Sequence, residues 1–551
     1  MKSFFPYIFT AIIFLIAVIL TDAVFWADSA DYVDSVVAFQ QGKDYNFWEF
    51  GHLFWRPSGW LVWSRFFPSA ENGFWRGEIN LTFQWLSYIA GFGAALILAG
   101  ILKNLKLPVW IVAVTTAGFI FSHAFLNFTQ TGTSYVAALM FYLLGLFFSL
   151  RETEEKNFFN SILSGICLAL TLCFWMPFLW TIPAVIIAPL LLYDFKRRRL
   201  IEAAAKIAAF SVAVVLFYGV VLTVLQIDSF AEFKSWITAA SHGNETRGLM
   251  RMVFGLARSF VNMGGDGVLF KRFLLKDPFN PVSFGALISG SLWKFAFFYS
   301  LAAGVLFLLW QNVRSRKFFI VLLTAAVPML GFAALFDGGA VERYLPLFPV
   351  AFISLAAALQ IEGWRFLRYA MLAILAVFAV ININVLSVWE VSEQQNKIVS
   401  RVALLETKAQ PTDRIFVVNW TDDLINFNRS FPFNPVNLRG NLKLNSVVTP
   451  GSAQTTQWRE EFAARSFLAW ENGENVWLSN RAFSRQPKAD WNWVEGDDKN
   501  VGWREFPEFF SNLDFGETLG DENGFTLILP SETNKTFLQE YKNKFTDKIQ
   551  F

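Results

Sequence analysis

The residues able to do chemistry crowd the start of the chain. Residues 25–65 read FWADSADYVDSVVAFQQGKDYNFWEFGHLFWRPSGWLVWSR, directly after an apolar run at 4–20. Asp22 precedes this stretch, and Asp28, Asp31, Asp34, Asp44 and Glu49 lie within it. Carboxylates beside a bilayer are costly unless water, a cavity or a partner receives them. Asp28 and Asp31 stand three apart, a spacing that puts both on one helix face. Such a pair can act as a general base, one carboxylate deprotonating an acceptor while the other orients it. The same spacing suits a helix start, with Asp28 as the cap and Asp31 at the third position, answering unpaired N–H groups. Both readings stay open on the local sequence.

Other polar groups stand out against the apolar background. His52 and Arg56 are four apart in GHLFWRPSGW. The planar fork of Arg56 suits a phosphate; the plainer role is snorkelling from the membrane interface. His52, His123 and His242 are the three histidines of the chain. They make a metal site only if the fold gathers them, and otherwise serve as hydrogen-bonded structural residues. Glu342-Arg343-Tyr344-Leu345-Pro346 opens a late apolar run, and Glu342, Arg343 and Tyr344 are read, with His52 and Arg56, as candidate substrate- or phosphate-binding residues. Arg343 there calls for a lipid-linked phosphate or headgroup, or for an ion pair with Glu342, Asp337 or Asp266. His242, Asn244, Glu245 and Arg247 form a further polar cluster, read either as substrate-binding or as a solvated loop. MGGDG at 263–267 is followed by no GKS or GKT, so it is no nucleotide loop. Cys167 and Cys173 share one apolar segment and carry neither a disulfide framework nor a metal site. The cofactor is unknown; a divalent metal is compatible with the acids, but no ligand pattern calls for one.

The elements that must position these groups follow from composition. Of 551 residues, 54% are hydrophobic, 18% aromatic and only 16% charged, the profile of a polytopic membrane protein. A net charge of +2 gives no case for nucleic acid as a partner. Apolar runs at 4–21, 81–102, 107–124, 133–150, 158–174, 176–193, 203–225, 285–310, 318–336, 344–360 and 369–388 predict about eleven transmembrane helices. The pair 158–174 and 176–193 is short and contains Pro177, Pro183 and Pro189, so it forms a tight hairpin or only partly crosses. The first run lacks a small-x-small cleavage site and reads as a retained anchor. Basic clusters at Lys103 and Lys106, Arg151 and Lys156, 196–199, Arg314 to Lys317, and Arg365 and Arg368 all fall on one side if each run spans once. That predicts a cytoplasmic N-terminus and an outer acidic loop.

Two domains are expected. Residues 1–389 form the transmembrane module, with outer loops at 22–80 and 226–283. Residues 390–551, richer in charge and Asn, form a small extracytoplasmic α/β domain. Its expected elements are a helix at 391–408, strands at 414–418, 475–479 and 525–529, and a helix face of Trp458, Phe462, Phe467 and Leu468. The fold class is mainly α.

The order of the polar motifs resembles the C-type glycosyltransferase superfamily (GT-C), over roughly residues 1–390 in layout. The likeness rests on Asp28-Ser29-Ala30-Asp31-Tyr32 opening the first outer loop, then His52 and Arg56-Pro57-Ser58-Gly59-Trp60. Next come Thr129-Gln130-Thr131-Gly132-Thr133-Ser134-Tyr135 and a late Glu342-Arg343-Tyr344-Leu345-Pro346-Leu347-Phe348-Pro349, similar to the family's RY-LP-P pattern. The resemblance implies sugar transfer from a polyprenyl-phosphate carrier to a glycan, lipid or protein acceptor, on the outer face of a bacterial plasma membrane. It implies that Asp28 is the catalytic base or an acceptor-positioning group. Many members carry a second acid in the second outer loop. Here no carboxylate lies between His123 and Ser134, which leaves Asp31, Glu49 or Glu245 to substitute, or activity lost. Two other classes stay in view. A transporter or flippase would need ionisable residues at mid-span, of which there are few. A non-catalytic protein of the same fold would use residues 390–551 as a binding platform.

Overall fold

The structure is a computed structural model and describes residues 4–24, 28–43, 46–66, 75–151, 158–193, 197–240, 248–263, 268–275, 281–410, 412–419, 424, 443–448, 458–483 and 505–544. The chain divides into two compact units, Met1–Met263 with Lys294–Val391, and Gly264–Trp293 with Ser392–Phe551. The sequence boundary at 389/390 falls close to the second junction. Residues 268–275 and 281–283, expected in an outer loop of the first module, group with the C-terminal unit.

Among the described residues six helices are long and apolar enough to cross a membrane: Glu78–Asn104, Arg197–Val224, Phe284–Gln311, Val313–Leu335, Glu342–Leu359 and Arg365–Val385. Five shorter apolar helices are Phe5–Leu20, Val109–Ile120, Tyr135–Leu150, Phe158–Phe174 and Met176–Leu192. Each expected span coincides with one of these. Prolines mark several starts, because a missing N–H costs nothing in the first turn: Pro6, Pro183 and Pro349 sit there. Helix Phe348–Leu359 is apolar on every side and buried along nearly its whole length, so it occupies the interior of its unit. Helix Arg197–Val224 turns Val212, Val215, Leu216 and Val220 outward, a lipid-facing stripe.

Two devices bring the breaks between helices into register. Asn382, buried in Arg365–Val385, donates from Nδ2 to the carbonyls of Phe121 and Phe260, both at 2.8 Å. Its Oδ1 accepts from the Asn262 backbone N–H at 2.9 Å. One amide thus satisfies the ends of two helices, groups that would be expensive to leave unpaired. The stretch 122–139 is buried throughout, including the polar turn 129–134. Gly132 in that turn has φ +77°, and a Cβ there would meet Phe83 Cβ at 2.9 Å. Both demands are met only by glycine.

The C-terminal unit contains a five-stranded sheet in the order β2-β1-β3-β5-β4, with β1 Arg414–Asn419, β2 Lys443–Val448, β3 Val476–Ser479, β4 Phe515–Leu519 and β5 Phe525–Ile528. β2, β1 and β3 run parallel, while β5 lies antiparallel to β3 and to β4. The three expected strands appear as β1, β3 and β5. β2 and β4, whose sequences KLNSVV and FGETL are interrupted by polar residues and glycine, do not stand out as apolar runs. Helix Val388–Glu406 replaces the expected 391–408. On helix Trp458–Glu471, Trp458, Phe462 and Phe467 enter the core, but Leu468 is half exposed. One residue on from Phe467 is about 100° around the helix, which carries Leu468 off the buried face. Asp413 is buried and fully engaged: it accepts from the backbone of Gln410 and Asn475, from Asn475 Nδ2 and from Trp477 Nε1, all within 3.2 Å. It is a structural clamp at the base of β1 and β3.

Candidate active site

The stretch after the first apolar helix folds onto the buried turn 129–134. Helix Ser29–Gln40 is tied there by Ser29, whose hydroxyl donates to the Thr131 carbonyl at 2.6 Å. Helix Trp55–Phe66 is tied to the same turn by Trp55 Nε1 donating to the Gly132 carbonyl at 3.0 Å. Between these anchors lies a cluster of Asp28, Tyr32, His52, Ser134 and Tyr135.

Asp28 is half-buried immediately before helix Ser29–Gln40, and its side chain makes no capping bond to that helix. The capping reading therefore falls. The carboxylate turns instead to Tyr135, whose hydroxyl donates to Oδ2 at 2.5 Å. The Tyr32 hydroxyl lies 3.5 Å from the same oxygen. Asp31, expected as its partner, is exposed, and its carbonyl accepts from the Ser35 hydroxyl. The two acids share a helix end but not one environment.

His52 is buried. Its Nδ1 lies 2.7 Å from Ser134 Oγ, 3.2 Å from the Phe174 carbonyl and 3.3 Å from the Tyr32 hydroxyl. A carbonyl only accepts, so Nδ1 carries the proton and Nε2 is the acceptor of the neutral ring. Burial pushes the imidazole below its usual pKa; Glu49 and Asp28 oppose this, and Arg56 adds to it. His52 is thus neutral at neutral pH, and Tyr32 links it to Asp28. Burial also raises Tyr32 well above the usual phenol value, reinforced by Asp28, so Tyr32 keeps its proton.

Arg56 differs most from the expectation drawn from sequence. Its side chain is only 2% exposed and pairs with Glu49 at 2.5 Å. Nε donates to Ser35 Oγ at 3.1 Å, and the guanidinium lies 4.7 Å from the centre of the Tyr32 ring. It neither snorkels nor faces an open phosphate site; it neutralises a buried carboxylate. Glu49, a possible substitute acid, is consumed by the same pair.

The late motif comes to the same region from the far end of the chain. Glu342 opens the short turn Glu342–Leu347 and is buried, with Oε2 making no hydrogen bond among the described residues. It interacts electrostatically with Arg343, Asp28 and Asp337. Arg343 is half-buried, with its guanidinium 4.8 Å from the Phe336 ring centre and 5.9 Å from that of Phe332. Its Nε has no hydrogen-bond partner among the described residues. Of the ion pairs considered for it, none forms at bonding distance with Glu342 or Asp337; Asp266 lies outside the described residues.

Tyr344 has its hydroxyl engaged inside the protein: it lies 2.7 Å from the Gly338 carbonyl and 2.9 Å from that of Met252, and so staples the turn to helix Leu249–Phe260. Tyr299 reinforces the staple by donating to Val253 at 2.6 Å. Glu245, Arg247 and His242 lie outside the described residues. His123 is structural: Nδ1 donates to the Arg258 carbonyl at 2.9 Å, and Asn262 Nδ2 lies 3.3 Å from Nε2. No group of three potential metal ligands occurs among the described residues.

Sequence reasoning passed over Tyr135 and Ser134. Both close the polar turn TQTGTSY, and hydroxyls at the mouth of an apolar run were the available signal.

No protein-family model and no curated protein sequence matches this chain. Among solved structures it is similar to ArnT from Cupriavidus metallidurans bound to undecaprenyl phosphate. That match has a TM-score of 0.51 and 12% identity, over 97% of this chain and 98% of that one. The apo structure of the same protein gives a TM-score of 0.52 and 11% identity, over 96% and 98%. The likeness is one of fold: the chain shares the mainly helical, polytopic architecture of these structures.

Proposed function

We propose that this chain is a membrane-embedded glycosyltransferase. It moves a sugar, hexosyl or pentosyl, from a polyprenyl-phosphate carrier to a glycan, lipid or protein acceptor on the extracytoplasmic face of a bacterial plasma membrane. In this reading the N-terminus is cytoplasmic and residues 390–551 are extracytoplasmic.

The observation that carries the reading is the convergence of Asp28 with the Glu342-Arg343 turn. A positioned carboxylate is what an acceptor hydroxyl needs. A guanidinium with an unpartnered donor, held beside two aromatic rings, is what a carrier phosphate needs. The fold shared with a protein captured with undecaprenyl phosphate supports the carrier class. Fold alone does not assign activity, so the weight rests on the residues.

The reaction balances as a displacement. The acceptor O–H gives its proton to Asp28, its oxygen bonds to the anomeric carbon, and the carbon–oxygen bond to phosphate breaks. The polyprenyl phosphate leaves with that electron pair, its charge met by Arg343. Attack from the face opposite the leaving group inverts the anomeric centre.

The test pairs two variants. Asp28→Asn should lose transfer by about a hundredfold to ten-thousandfold while keeping undecaprenyl-phosphate binding, read as ligand-induced thermal stabilisation. Arg343→Ala should lose that stabilisation, and Arg343→Lys should retain part of it, as charge without the fork. Full transfer by Asp28→Asn across a panel of polyprenyl-phosphate sugars would remove Asp28 as the base. Unchanged stabilisation in Arg343→Ala would remove the arginine as the phosphate ligand.

A further inference from the structure

The two oxygens of Asp28 are not equivalent. Oδ2 takes the Tyr135 hydroxyl at 2.5 Å and has the Tyr32 hydroxyl at 3.5 Å. Among the described residues nothing donates to Oδ1. Tyr135 itself has little freedom. It is buried at the first turn of helix Tyr135–Leu150, its ring 4.5 Å from that of Trp175 and 5.1 Å from that of Phe128. The turn that delivers it is buried and pinned by Ser29 and Trp55. Tyr32 is differently placed: its hydroxyl is shared with His52 Nδ1 and Ser134 Oγ, both at 3.3 Å.

We infer that Tyr135 is the positioning residue of Asp28: its hydroxyl pins Oδ2 and leaves Oδ1 as the oxygen that takes the acceptor's proton. The identity of that proton rests on the glycosyl-transfer reading; the hydrogen bond does not. The groups that interact electrostatically with Asp28 are Tyr32 on its own helix, His52 from the following loop, Tyr135 from its helix, and Glu342 from the late turn; Glu49 and Arg56 act on Tyr32 and His52. A hydroxyl donating at short range to a carboxylate favours its ionised form. Tyr135 therefore orients the base through that bond.

The experiment needs no sugar substrate. A hydrophobic carbodiimide modifies protonated carboxyl groups, so its rate of attachment to Asp28 in the full-length protein, read by peptide mass spectrometry, follows the protonated fraction. Tyr135→Phe keeps the ring and removes the donor. At neutral pH it should label about tenfold faster than wild type, the effect of losing one charge-assisted hydrogen bond. The excess should vanish at acid pH, where Asp28 is protonated in both proteins. Tyr32→Phe should change the rate less, since 3.5 Å is the limit of a hydrogen bond. Equal labelling of Tyr135→Phe and wild type would overturn the inference, as would an increase of the same size at every pH, which would mean only looser packing. A second measurement stands if the single variant folds poorly. In an Asp28→Ala background, Tyr135→Phe should leave the melting temperature unchanged, and a further loss there would refute the pairing. Failure of these tests is separate from failure of the transfer reading, which Asp28→Asn decides.

Discussion

Arg56 tests whether a guanidinium beside the candidate site is a ligand or a structural counter-ion. The geometry argues for the second. Its side chain and that of Glu49 are 2% and 5% exposed, and they meet at 2.5 Å. Deleting one partner of such a pair strands a buried charge, at a cost of about 3–5 kcal/mol. At about 2–4 °C per kcal/mol for mid-sized domains, and less for a larger unit, Arg56→Ala and Glu49→Ala should each melt roughly 5–10 °C below wild type. Replacing both by apolar residues of similar volume, Glu49→Leu with Arg56→Met, should recover most of this loss, because no ion is left uncompensated. Recovery should be incomplete: the hydrogen bond to Ser35 and the contact over Tyr32 are also lost, the latter worth about 0.5–2 kcal/mol. The assay is thermal melting of purified protein in detergent, with and without undecaprenyl phosphate. If Arg56→Ala melts within about 1 °C of wild type yet loses stabilisation by undecaprenyl phosphate, the arginine is a phosphate ligand and this reasoning is wrong.

Two further expectations concern the supports of the site. Burial holds the His52 pKa below its unfolded value of about 6.5, so between the two values the unfolded chain binds more protons. Stability should therefore fall as pH drops through about 6.5 and level off below the folded pKa, with a slope of at most about 1.4 kcal/mol per pH unit. His52→Gln should flatten that part of the melting-versus-pH curve, and a curve identical to wild type would contradict it. At Gly255 an added Cβ would lie 2.1 Å from the Gly338 carbonyl and 3.0 Å from the Tyr344 ring. Gly255→Ala must therefore displace the turn that carries Glu342 and Arg343. It should cost roughly 1–3 kcal/mol of stability and weaken stabilisation by undecaprenyl phosphate, whereas a wild-type melt and response would show that the turn yields freely.

Some of this protein was determined locally and could be read from the sequence. Eleven apolar runs became eleven apolar helices, because the length and polarity of a segment decide whether it suits a bilayer, whatever lies around it. The strands at 414–418, 475–479 and 525–529 showed themselves in the same way, as β-branched and aromatic runs. Asp28 and Arg343 stood out because charge in an apolar setting needs a reason. What those charges touch was decided only by the tertiary structure. Asp28 meets a tyrosine 107 positions away, so a capping pattern that looked complete in five residues is not formed. Arg56 is matched by Glu49, and Tyr344 is claimed by two backbone carbonyls. Glu342 reaches the neighbourhood of Asp28 across more than half the chain. Hydrogen bonds and buried ion pairs act over a few ångströms, and sequence separation does not measure that distance. Which polar group finds a partner, and which stays open for a substrate, is therefore a property of the packed fold.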